Sequence, residues 1–105
     1  MAQIQELKEE MKGVISQIVT QKDNRNALKV KKGDLTATIK ELKVRIKDTK
    51  KSGGDTLTLK DELTRLKLLK KDKAVEISNV KGEITKLRNK KVELRNKIKS
   101  IKTKD

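Results

Sequence analysis

Ten cations fall at multiples of seven residues along the chain: Lys8, Lys22, Lys29 and Lys43 in its first half, and Lys60, Lys67, Lys81, Arg88, Arg95 and Lys102 in its second. Seven residues make almost two helical turns, so in a helix each set lies along one side. Rows of ammonium and guanidinium groups suit one kind of chemistry, which is to hold a polyanion through charge and hydrogen bonds. The side chains needed for other chemistry are missing. The chain has no His, Cys or Tyr, which removes the usual nucleophile–base pairs, zinc ligand sets and thiolate reactions. It also lacks a glycine-rich phosphate loop. No enzymatic activity, metal site or cofactor is expected.

The element that must position these cations is a pair of heptad repeats. Written as abcdefg, the first places Ile4, Met11, Ile18, Arg25, Lys32, Ile39 and Ile46 at a, with Leu7, Val14, Gln21, Leu28, Leu35 and Leu42 at d. The second places Thr56, Leu63, Lys70, Ile77, Ile84, Lys91 and Ile98 at a, with Leu59, Leu66, Lys73, Val80, Leu87, Leu94 and Ile101 at d. Heptads sustained this far predict a coiled coil. Between them stands Ser52-Gly53-Gly54-Asp55, where two glycines permit positive φ and Asp55 suits the start of a helix. Folding the chain back there sets each a residue opposite a d residue whose number sums with it to 105. The predicted fold is all-α: a long antiparallel two-helix coiled-coil hairpin spanning 1–105 as a single unit. Helix 1 covers about 2–51, the turn 52–55 and helix 2 about 56–102, a rod about 70 Å long at 1.5 Å per residue. Glu6, Glu9 and Glu10 early in the first helix and Lys47, Lys50 and Lys51 at its end match the helix dipole, and Asp61 and Glu62 are expected in the first turn of the second.

Composition agrees with a seam rather than a globular core. Hydrophobic residues make up 32% of the chain, charged residues 42% and aromatics none, and two apolar residues per heptad need little more. Proline is absent, as two uninterrupted helices require. Leu35-Thr36-Ala37-Thr38-Ile39 and Thr56-Leu57-Thr58-Leu59 alternate as strands do, yet the heptad runs through both, which favours helix. The seam is polar in its middle layers, where Lys32 faces Lys73, Leu35 faces Lys70, and Arg25 and Gln21 face Val80 and Ile84. Lysines sharing a layer are expected to turn outward and leave a wet patch.

The flanks of the seam differ. In an antiparallel pair g residues lie beside g residues, and e beside e. The g flank sets Glu10 near Lys97, Lys31 near Glu76 and Arg45 near Glu62, and none of its neighbours share a sign. The e flank holds all ten cations named above and no acid, with Lys8 beside Arg95, Lys22 beside Lys81 and Lys43 beside Lys60. Lys and Arg outnumber Asp and Glu by 29 to 15, for a net charge of +14, which points to nucleic acid, anionic membrane or an acidic protein as partner. A coding bias toward Lys, Ile and Asn would produce such a charge without any ligand. With no aromatic platform to stack bases, the expected mode is salt-sensitive contact with phosphate backbone, on structured RNA ahead of duplex DNA.

A second surface competes with the first. Val30, Ala37 and Val44 occupy f on helix 1, Leu68 and Val75 occupy f on helix 2, and Leu69 occupies g. An exposed apolar line of this kind suits an oligomer interface, either a homodimer forming a four-helix bundle or a coiled-coil protein partner. The alternative function is therefore a structural or adaptor coiled coil. An anionic membrane is the weakest candidate, because the bulky aromatic anchors of interfacial helices are missing. No signal-like segment or membrane-length apolar run occurs, so a cytoplasmic or nuclear location is expected.

The overall shape resembles the antiparallel coiled-coil arm with which seryl-tRNA synthetases grip tRNA, and Lys50-Lys51-Ser52-Gly53-Gly54-Asp55 looks like the turn of that arm. Val44-Arg45-Ile46-Lys47 departs from the Asn, Ser and Gly that lead into the turn in that family. The resemblance is one of form and does not imply membership.

Overall fold

The computed structural model of the chain describes residues 2–104. It is all-α: helix α1 spans Ala2–Lys51 and helix α2 spans Leu57–Lys104, and the two pack against each other as an antiparallel hairpin. No strand occurs among the described residues. The first alternating threonine stretch lies within α1 and the second enters α2 from Leu57; the heptad buries Leu35, Ile39 and Leu59 fully or in part, while Leu57 is 63% exposed, and in the first stretch in-helix carbonyls satisfy the hydroxyls. Thr36 Oγ1 donates to the Lys32 carbonyl at 3.0 Å and Thr38 Oγ1 to the Asp34 carbonyl at 3.0 Å. This four-residue back-bonding leaves both hydroxyls satisfied within the helix.

The turn ends α1 by a Schellman arrangement. Gly53 has φ +78°, its N–H donates to the Lys50 carbonyl at 3.1 Å, and the Gly54 N–H reaches back to the Thr49 carbonyl at 2.9 Å. These two bonds satisfy carbonyls that the helix end would otherwise orphan. Gly54 is required for a different reason, since a Cβ there would stand 2.9 Å from Thr49 Cγ2. On the other side Asp55 Oδ1 accepts the Leu57 N–H at 2.9 Å, and the ladder of α2 begins with the Thr56 carbonyl accepting from Lys60 N–H at 2.9 Å. The first turn of α2 is consequently Leu57-Thr58-Leu59-Lys60 and holds no acid. Asp61 and Glu62, expected in that turn, fall one turn later, leaving Asp55 as the negative group nearest the helix start.

Packing divides the chain into two compact units. The turn-proximal unit is Asn26–Ser78; its core is Ile39, Leu42, Ile46 and Leu66, with Leu35, Leu59 and Leu63 packed against them. The terminal unit joins Met1–Arg25 to Asn79–Asp105, and its core is Val14, Ile18 and Leu94 with Leu7, Met11 and Leu87 around them. Every a and d residue from Ile4 to Ile101 is buried or half-buried. Among the described residues, only Lys22, Thr36 and Ala74 are less than exposed outside those positions, and all three belong to the e flank.

The polar layer of the turn-proximal unit resolves by divergence. Lys73 leaves on the g side, where its ammonium donates to Glu76 Oε2 at 3.2 Å. Lys32 opens on the e side, beside Lys70. Two cations assigned to one layer thereby end on opposite flanks, which removes most of their repulsion.

Candidate polyanion-binding face

Positions e and b adjoin each other on the helical wheel, and neither carries an acid anywhere in the chain; the acids sit at c, f and g, in the turn, or at the last residue. Position b adds Lys12, Lys40, Lys47, Lys71 and Lys99 to the eleven e-flank cations, which are the ten named from spacing together with Lys50. One face of each helix is therefore built from two columns that supply cations and no carboxylate. The eleven e-flank cations make no ion pair with any described residue. All are exposed except Lys22, which is half-buried.

Within the turn-proximal unit this face holds a cavity of about 330 Å³ lined by Lys32, Lys43, Lys67, Lys70 and Lys71 over Ile39 and Ala74. Lys43 and Lys67 are e-flank residues anticipated from the heptad. Lys32 and Lys70 come from a positions and Lys71 from b. Lys32 and Lys70 are half-buried at seam positions and line the same opening as the e-flank lysines. Five lysines thus line one concavity whose lining has no acid. Their repulsion is weakened by salt but fully offset only by an anion.

The terminal unit has a smaller cavity of about 250 Å³ lined by Arg25, Lys81, Ile84, Thr85 and Arg88, again without an acid. Lys81 and Arg88 are e-flank residues, and Arg25 is, with Lys91, one of the two cations at a in that unit. Lys8, Lys22, Lys29, Lys60, Arg95 and Lys102 line neither of these two cavities. They contribute to the face as separate charges.

The g flank is the opposite in kind. Glu10 Oε1 lies 3.6 Å from Lys90 Nζ, Glu83 Oε1 lies 3.7 Å from Lys86 Nζ, and Glu76 is held by Lys73. The anticipated neighbours Glu10 and Lys97, Lys31 and Glu76, and Arg45 and Glu62 do not close to ion-pair distance. Lys90 faces the uncharged Gln17 in register and reaches Glu10 instead, while Glu76 is taken by a lysine three residues away on its own helix.

The apolar f residues are exposed as the heptad requires: Val30 by 64%, Val44 by 58%, Leu68 by 59% and Val75 by 56%, and Ala37 likewise. Because f points away from the partner helix, the α1 line and the α2 line face outward in opposite directions and do not form one stripe. Leu69, at g, joins Lys31, Asp34, Leu35, Thr38 and Lys73 around a cavity of about 300 Å³ on the other flank.

Among the described residues no helix is long and apolar enough to cross a membrane. Comparison with protein-family models, with curated proteins and with solved structures finds no match for this chain.

Proposed function

We propose that this chain is a non-enzymatic module that binds nucleic acid, as structured RNA or duplex, through the phosphate backbone. The observation that carries the reading is the five-lysine concavity of the turn-proximal unit, set in a b/e face without a single acid. Lysine is a strongly hydrated point charge and does not read base edges as the arginine fork does, so the groove suits phosphates at variable spacing. Absence of aromatic residues leaves no aromatic platform for splayed bases, which favours helical, backbone-presenting nucleic acid. Lys43, Lys67, Lys70 and Lys71 supply the central contacts, and Lys8, Lys22, Lys29, Lys60, Lys81, Arg88, Arg95 and Lys102 supply the outlying ones.

Binding to labelled tRNA and to duplex DNA across a salt series tests this. The wild type is expected to show a steep fall of log affinity with log salt. Changing Lys43, Lys67, Lys70 and Lys71 to Gln is expected to flatten the slope by about 1 for each phosphate that is no longer neutralised. Equal binding by wild type and variant, or none by either, removes the reading.

The exposed aliphatic f residues favour a second reading, a coiled coil that associates with a copy of itself or with another helical protein. Sedimentation of wild type and Val44→Lys tests it: loss of a dimer supports the interface, and a monomer in both cases removes it.

A further inference from the structure

We propose that the cavity of Arg25, Lys81 and Arg88 in the terminal unit is a discrete site for a phosphate dianion, the group carried by phosphomonoesters. It is a different site from the lysine groove, and it stands whether or not that groove binds nucleic acid.

Arg25 occupies an a position of the seam, where Ile18 of the same unit carries an aliphatic side chain. Its side chain is half-buried, and its Nε is removed from solvent with no hydrogen-bond partner. A buried guanidinium N–H without an acceptor is costly, because it has given up its water for nothing in return. Arg25 also lines the cavity that holds Lys81, Thr85 and Arg88. A rotation of its terminal side-chain bonds turns Nε–H toward an oxyanion seated there, which supplies the missing acceptor.

The rest of the lining specifies the class of ligand. Three cations converge and no acid balances them. The Thr85 hydroxyl is already engaged with the Lys81 carbonyl at 3.1 Å, so the free donors are all cationic. Two of the three are arginines, whose planar forks make paired hydrogen bonds to phosphate oxygens, whereas the groove of the turn-proximal unit has lysines only. Three positive charges around one small opening favour a doubly charged phosphomonoester over the singly charged diester of a nucleic-acid backbone. Ile84 is the sole apolar residue of the lining, so the site grips the phosphate and leaves the remainder of the ligand outside.

The test uses the full chain labelled with nitrogen-15, following the Arg25 Nε–Hε resonance during titration with methyl phosphate, dimethyl phosphate and sodium chloride at matched ionic strength. Methyl phosphate is expected to shift the resonance saturably, with affinity about tenfold tighter than for dimethyl phosphate. Arg25→Lys, which keeps the charge and loses the fork and is followed through the Arg88 Nε–Hε resonance, and Arg88→Gln, at an exposed position and followed through that of Arg25, are each expected to weaken methyl phosphate by about tenfold with unchanged helical circular dichroism. The double change Lys43→Gln with Lys67→Gln is expected to leave it unaltered, which separates this site from the lysine groove. A linear shift that chloride reproduces, equal affinity for monoester and diester, wild-type binding by Arg25→Lys, or loss of binding in the Lys43/Lys67 variant overturns the assignment.

Discussion

The two units are built on the same heptad and differ in what interrupts it. In the turn-proximal unit the interruptions are lysines: Lys32 and Lys70 swing to the e side and join Lys43, Lys67 and Lys71, while Lys73 goes to Glu76 on the other flank. In the terminal unit both Arg25 and Lys91 stand at a, and the Nε of Arg25 stays inside without a partner. A flexible lysine escapes from a seam by extending its ammonium to water, whereas a guanidinium carries several donors that cannot all leave at once. Lysines at core positions thus line a diffuse groove in one unit, while an arginine at a core position lines a single socket in the other.

Experiments can sharpen or break this contrast, beginning with the cores. Leu42→Ala in the turn-proximal unit and Leu94→Ala in the terminal unit each truncate a side chain only 3% exposed, and each is expected to cost about 2–5 kcal/mol in urea unfolding. A cost under about 1 kcal/mol for either would place that seam outside the range of a packed core. Glycine substitutions should have opposite signs in the two units. Gly53→Ala forces an L side chain to φ +78° and is expected to lose about 1–2 kcal/mol. Gly82→Ala, in mid-helix with nothing within 4 Å of the new methyl, is expected to gain about 0.5–1 kcal/mol.

Lys70→Leu and Arg25→Leu are each expected to raise stability by about 1 kcal/mol by restoring an apolar a residue, while weakening polyanion binding to the groove and phosphate binding to the socket respectively. Thermal unfolding beside binding isotherms reads both; a variant that gains stability and binds as before would show that the cation has no ligand. The smallest effect belongs to the g flank. Glu76→Gln and Glu10→Gln remove carboxylates whose side chains are 49% exposed in each case. Each is expected to change stability by no more than about 0.5 kcal/mol, and less in high salt.

Much of the fold was legible because a heptad reports burial directly. The a and d residues named from spacing are those that are buried or half-buried, and the glycine pair marks the reversal. The candidate site was only partly legible. The acid-free e column is plain from spacing, but the b column beside it lies outside the seam and its flanks, and Lys71 lies there with it. Lys32, Lys70 and Arg25 read as defects of the seam, because a linear pattern assigns a residue to its Cα position, whereas a long cationic side chain acts several ångströms away. The g-flank partners failed for a related reason. Exposed ion pairs are worth so little that Glu76 takes the nearest lysine rather than the one a symmetric register assigns.

The turn has a further consequence for the order in which the molecule assembles. The turn-proximal unit is one contiguous stretch, so its contacts close short loops around Gly53 and Gly54, while the terminal unit must bring together segments from the two ends of the sequence. Loop-closure entropy rises with the length of chain enclosed, and pairings far apart in sequence are correspondingly slow to form. With the turn-proximal helices already paired, most of that intervening chain no longer counts as free loop. Folding is therefore a zipper started at the glycines, and the Arg25 socket belongs to the half that closes last.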